Sequence, residues 1–238
     1  MFLDHLEEFR RRIIICLIAL VAASCLSFFF SRQIIEFLTL PLRKHQEVSL
    51  YFHTPYEAFM VHVKAAVSSG ILLSVPVWMT QLWYFIAPGL YEKERRTMVP
   101  LIFCSLGLFL AGCAFAYYLV IPAGLNFLLA FSSQSLKPML TIGPYVSFFL
   151  GMILACGALF DFPVVMIGLV SLGVVSAASL ARARKMAIVI IFVVAAIVTP
   201  SPDPLSQAML ALPLWIFFEI SLVICRRFER PLQSIPQV

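Results

Sequence analysis

Long, unbroken apolar runs constrain this chain more than any other feature. Six of them emerge: Ile13–Phe30, Ala65–Ala87, Met98–Ile121, Tyr145–Leu172, Met186–Val198 and roughly Leu205–Cys225. A helix needs about 20 residues to cross a hydrocarbon core of about 30 Å. The first four runs meet that or come close. Membrane barrel strands would alternate polar and apolar residues. These runs do not alternate, which leaves helices as the way to satisfy every backbone group in lipid. Composition agrees, since 62% of the 238 residues are hydrophobic and only 12% are charged. Soluble domains are nearer a quarter charged, and a chain of this size could not hide so much apolar surface from water. The expected fold class is therefore all-α, a polytopic membrane protein forming a single integral domain over residues 1–238 with six transmembrane helices.

The fifth run is an exception. Its 13 residues would rise only about 20 Å as a helix. It either thins the bilayer locally or forms a re-entrant hairpin with the sixth. Both options return the chain to the same side.

Charge sets the orientation. Arg10, Arg11 and Arg12 precede the first run, and Lys93, Arg95 and Arg96 follow the second. Arg182, Arg184 and Lys185 lie between the fourth and fifth, and Arg226, Arg227 and Arg230 follow the sixth. The opposite face carries Arg32, Arg43, Lys44, Lys64 and Lys137. The positive-inside rule places the richer set, and both termini, in the cytoplasm. The net charge of +5 thus reflects topology and anionic lipid rather than nucleic acid. The first run lacks the arrangement of a cleavable signal, so it is expected to persist as a mature anchor.

Several familiar chemistries find no support. The six cysteines all sit in or at the ends of apolar runs without a CxxC pair, which marks them as small apolar core residues. His5, His45, His53 and His62 show no metal-ligand spacing, so no metal or other cofactor is expected. There is no P-loop, GxSxG or dinucleotide fingerprint, and no enzymatic role is expected. Small residues recur at four-residue spacing within Leu108–Ala116 and Gly151–Ala155. That allows close helix packing, although small residues are common in membrane helices anyway.

Three places depart from a bland apolar bundle. The N-terminus reads MFLDHLEEFRRRI. Asp4 can cap a helix, with Glu7 completing a capping box. Glu7–Arg11 and Glu8–Arg12 have the favourable i,i+4 order. This describes a self-satisfied lead-in helix, or one that offers Glu7 or Glu8 to a cationic partner. The second connection, WYFIAPGLYEKERR, ends a helix at Pro88-Gly89 and then sets Glu92 and Glu94 among basic residues. It reads as an interfacial belt with a solvated charge run, or as a second carboxylate pair on a basic face.

Asp161 is the third departure. It stands between 23 uncharged residues (Pro138–Phe160) and 20 more (Phe162–Ala181). An aspartate at the centre of a membrane helix costs about 2.5–3.5 kcal/mol on insertion scales. Pro163 cannot donate to the Leu159 carbonyl, so that carbonyl is expected to be free. The pair suggests a hydrated, kinked pocket, or a neutral aspartic acid that glues helices. Glu219 lies near enough to Arg226 to approach the cytoplasmic interface.

Taken in order, HLEEFRRR, Pro41-Leu42, WYFIAPGLYEKERR, FAYYLVIP, FDFPV, TPSPDPLSQ and LALPLWIFFE resemble the TatC family. The resemblance spans about residues 4 to 228. It implies a cup of six helices with the last two short, inserted in the bacterial inner membrane as a multispanning receptor subunit. It further implies export of folded proteins driven by the proton-motive force. The implied partners are single-span TatA- and TatB-type proteins, twin-arginine signal peptides and further copies of the chain itself. On the family pattern Glu8, Arg10, Phe85, Glu94 and Arg96 match signal-peptide positions. Pro41 matches an external-cap proline, and Asp203 and Gln207 match a tight turn and the polar position where partner helices dock. The mid-membrane acid is often glutamate in the family and is Asp161 here. The competing expectation is an ion-coupled secondary transporter using Asp161 near the midplane. Such a protein usually shows paired repeats, which this chain does not.

Overall fold

The computed structural model describes residues 2–43, 50–86, 98–130, 139–171, 174–199 and 204–228. Helix α1 runs Phe2–Phe29 and α2 runs Ser31–Arg43. Helix α3 spans Pro55–Ile86 and α4 spans Met98–Phe115. A π-turn at Ala116–Val120 leads into α5, Ile121–Ala130. Then come α6, Ile142–Phe160, and α7, Phe162–Ser171, followed by a short α8, Ala177–Arg182. The chain continues through α9, Arg184–Val198, and α10, Pro204–Phe228. Strands β1 (Leu50–Tyr51) and β2 (Leu140–Thr141) pair in parallel. They tie together the two connections that the charge pattern puts outside.

Among the described residues, five segments are long and apolar enough to cross a membrane: Glu7–Phe29, Pro55–Tyr84, Pro100–Ala130, Ile142–Val170 and Ser206–Arg226. The fifth run forms α9, whose 15 residues rise about 22 Å. It is short, as expected. The sixth is not, because α10 holds 25 residues and carries on through Pro213, which deletes one helical hydrogen bond without ending the helix.

The elements begin and end where local chemistry dictates. Helix α1 starts at Phe2, so Asp4 lies inside its first turn and is not the expected cap. Helix α3 begins ten residues before the apolar run, at a Thr54-Pro55-Tyr56-Glu57 start with proline at the first helical position. Past Phe115, the Ile121 amide reaches back five residues to the Ala116 carbonyl. This π-turn sits just ahead of Pro122, which has no N–H for the Tyr118 carbonyl.

Burial is uneven. Within the Ile142–Val170 segment 61% of the most apolar window is buried, against 6% for Glu7–Phe29. The core gathers around α6, where Val146, Phe149 and Cys156 are fully enclosed and meet Ile121, Leu210 and Leu214. Helix α1 packs along α3 and otherwise faces outward. The two helices come close at Gly70, where a Cβ would lie 2.2 Å from Ser24 Oγ. Helices α4 and α6 meet as tightly, since a Cβ on Gly112 would lie 2.5 Å from the Cys156 carbonyl. The small-residue spacing is thus used at Gly112, whereas Gly107 and Gly151 face open space. None of the six cysteines forms a disulfide, and Cys25 and Cys104 are exposed rather than in the core.

Candidate functional site: a polar rim and a buried aspartate

At the N-terminal end of α1, Glu8 stands on the turn before Arg12. An i,i+4 pair shares one helix face, and Arg12 Nη2 donates to Glu8 Oε1. Arg12 Nη1 also reaches Gln81 Oε1 on α3 at 3.4 Å. Its guanidinium carbon stands 5.8 Å from the ring centroid of Tyr84, within cation–π range. The Glu8 side chain is 36% exposed and that of Arg12 20%. Arg10 is exposed. Phe85 falls in the last turn of α3, which ends beside this cluster. Glu94 and Arg96 lie outside the described residues, so their expected approach to Glu8 does too.

Asp161 occupies the break between α6 and α7. It is 5% exposed. Its amide is shared between the carbonyls of Ala158 and Leu159. The Leu159 carbonyl is therefore not free, which corrects the expectation drawn from Pro163. Beyond the break, the amides of Val164 and Val165 both turn to the Asp161 carbonyl, at 3.0 and 3.2 Å. On the side chain, Ser105 of α4 donates its hydroxyl to Asp161 Oδ1 at 2.9 Å. The same hydroxyl lies 3.2 Å from Met79 Sδ of α3. Among the described residues Oδ2 has no hydrogen-bond partner. The break in the helix is as expected, and the Ser105 hydroxyl of α4 links it to Met79 of α3.

Pro41 sits within α2. Having no N–H, it cannot bond the Phe37 carbonyl, and Tyr117 of the π-turn supplies the missing donor at 3.2 Å. The Tyr117 and Phe37 rings stack at 4.5 Å. Tyr145 donates to the neighbouring Leu38 carbonyl at 2.8 Å. Two tyrosines thus fasten the amphipathic α2 to the bundle. Gln207 Nε2 donates to the Phe192 carbonyl at 3.0 Å, linking α9 to α10. Asp203 lies outside the described residues.

Sequence reasoning did not single out Ser105, Gln81, Tyr117 or Glu57. Glu57 accepts from the His53 amide at 2.8 Å and from the Gly143 amide at 2.9 Å. It therefore fills an open donor in the first turn of α6. The signal was present in Thr54-Pro55-Tyr56-Glu57, a capping pattern. Among the described residues no group of histidine, cysteine, aspartate or glutamate could hold a metal ion.

Fold and site together define a multi-pass helical membrane protein with a carboxylate–guanidinium rim and an acid in its core. More particularly, the chain belongs to the TatC family: the family model for Sec-independent protein translocase protein (TatC) matches residues 4–213. It is similar to the TatC of Magnetococcus marinus, 39% identical over 95% of this chain and 84% of the relative. The Aquifex aeolicus TatC is 37% identical over 98% of this chain and 97% of its own. A crystal structure of the twin arginine translocase receptor TatC superposes with a TM-score of 0.82 at 37% identity, covering 95% of this chain and all of that one.

Proposed function

We propose that this chain is the receptor subunit of a twin-arginine protein translocase. It lies in the bacterial inner membrane with both termini in the cytoplasm, and residues 1–238 act as one integral domain. It recognises twin-arginine signal peptides at the cytoplasmic rim and acts with single-span TatA- and TatB-type partners. Folded cargo then crosses at the expense of the proton-motive force. No chemistry is done on the cargo.

One observation carries this reading within the family. Glu8 already holds a guanidinium, that of Arg12, beside an amide oxygen and an aromatic face. That is the chemistry an arginine-reading site needs, because the planar fork matches a carboxylate better than an ammonium does. Glu94 would supply the second carboxylate for a second arginine, with Phe85 beside it. Arg10 and Arg96 repel misplaced cations. Asp161 serves as the intramembrane polar site, while Pro41, Asp203 and Gln207 shape the external cap and the place where partner helices dock.

The test is capture of a twin-arginine signal peptide by the full chain in nanodiscs, with a twin-lysine control. Selective retention of the arginine peptide is expected. Equal retention of both would sink the receptor reading. A transporter built on Asp161 would instead show ion uptake in sealed vesicles with no peptide present, and the translocase relatives weigh against it.

A further inference from the structure

The short fifth run leaves a groove beside it. Between α9, α10 and the α6–α7 break lies a cavity of about 290 Å³ with an entirely apolar lining. Ala183, Ala187, Ile190 and Val194 form one wall, at the three- and four-residue spacing of a single helix face. Met166 of α7 and Phe218 of α10 face them. Ile190 is 53% exposed, so the groove opens sideways, toward the surrounding lipid. From Ala183 to Val194 it rises about 16 Å, close to one leaflet of a core of about 30 Å. Its mouth is basic. Arg182 ends α8 and Arg184 opens α9, so the two bracket Ala183. Both are exposed. Arg184 Nη2 pairs with Glu219 Oε2 at 3.2 Å, whereas among the described residues Arg182 has no ion pair. Helix α9 starts without a side-chain cap, so its positive end adds to that charge. The acids on these helices, Asp161 and Glu219, are held by Ser105 and Arg184.

We propose that this groove holds one acyl chain of an anionic phospholipid, whose phosphate rests between Arg182 and Arg184. The site does not depend on the signal-binding role of the rim. A groove without polar atoms gives water no partner. It is too narrow for a helix, which is about 10–12 Å across, but it admits a single extended chain. A chain lying along the Ala183–Val194 face carries its headgroup to the mouth, where a guanidinium can fork onto the phosphate. The charge at the mouth also sets the lipid class. A zwitterionic headgroup brings the same phosphate, but its own cation meets the same arginines and cancels much of the attraction. An anionic headgroup brings no such cation. Glu219 opposes the lipid, because it competes with the phosphate for Arg184.

The test is native mass spectrometry of the full chain in detergent, equilibrated with phosphatidylglycerol or phosphatidylcholine of matched acyl chains. The parent should retain more of the anionic lipid. Arg182→Gln should lower phosphatidylglycerol retention about fivefold, the scale of one basic side chain at an anionic lipid surface, and leave phosphatidylcholine as in the parent. Lys185 precedes Ala187 by two residues, about half a turn round α9 from the groove, so Lys185→Gln should change neither lipid. Glu219→Gln releases Arg184 and should raise phosphatidylglycerol retention about threefold, the scale of a surface pair. A misfolded protein would not show that gain. Ala183→Phe puts a ring in the mouth and should lower both lipids. Equal retention of the two lipids by the parent overturns the proposal, as does an Arg182→Gln variant that behaves as the parent or a loss in Lys185→Gln equal to that in Arg182→Gln. Parent-like retention in Ala183→Phe places the acyl chain elsewhere and overturns it too. A parent that holds neither lipid but pairs with a second copy, through a contact that Ala183→Phe breaks, gives the groove to a protein partner instead.

Discussion

Glu8 and Asp161 carry the same functional group in two different surroundings. Glu8 sits on a helix that buries little of itself, with its side chain 36% exposed. Arg12, which donates to it, lies one turn away on the same helix. Asp161 is 5% exposed in the most enclosed segment, and its partner Ser105 comes from another helix. A carboxylate at a wet rim makes contacts of modest strength that a newcomer can replace. One in a dry core is expensive to leave unmet, so its partner is fixed by packing. The first arrangement suits recognition, and the second suits a fixed element of the transport path.

The largest expected effect is at Asp161. Asp161→Leu removes the only charged side chain between Pro138 and Ala181. It should reduce export at least about tenfold, a barrier change of about 1.4 kcal/mol, in a cargo-export assay. Signal-peptide binding should stay within about twofold, and Asp161→Glu should be tolerated. Full export by the leucine variant would make Asp161 simple helix glue and dissolve the contrast with Glu8.

Ser105→Ala sharpens the contrast from the partner's side. It leaves both oxygens of Asp161 without a donor among the described residues, and a buried unmet polar group costs about 1–3 kcal/mol. Thermal stability in detergent should fall accordingly, with peptide binding unchanged. A stability equal to the parent would mean Asp161 has another donor. The smallest effect is expected outside the membrane core. Tyr117→Phe deletes the donor to the Phe37 carbonyl that Pro41 leaves open, which should cost about 0.5–1.5 kcal/mol. Protease cleavage within α2 should become faster. Unchanged cleavage would show that the Tyr117–Phe37 ring stack alone holds the cap.

Much of this was legible from local pattern. The apolar runs announce the long helices, and Asp161-Phe162-Pro163 announces the break between α6 and α7. What local pattern conceals is how polar residues are satisfied at a distance. His62 and Lys64 stand just before the apolar run of α3, yet the helix already passes through them. His62 meets Ser31 at 3.0 Å and Lys64 meets Ser147 at 2.8 Å. Pro122 reads as the end of a helix, but a π-turn absorbs it and the helix continues to Ala130. Ser105 lies 56 residues from Asp161, and Gln81 lies 69 from Arg12. No periodicity joins such pairs, because they are set by which helices touch. The length of α10 was misjudged from the family resemblance, although its own apolar run already has about 20 residues, enough to cross.

The central claim is that the rim reads the signal and the core does not. It is tested most directly by measuring twin-arginine and twin-lysine peptide affinity for the parent, Glu8→Gln, Glu94→Gln and Asp161→Leu in nanodiscs at one salt concentration. Glu94→Gln should weaken the arginine peptide about tenfold, or about 1.4 kcal/mol, and Glu8→Gln the same or somewhat less. The lysine peptide should change far less in both, and Asp161→Leu should leave both peptides within about twofold. Equal weakening of the two peptides by the rim variants would contradict the account. So would a loss of binding in Asp161→Leu as large as that in Glu8→Gln.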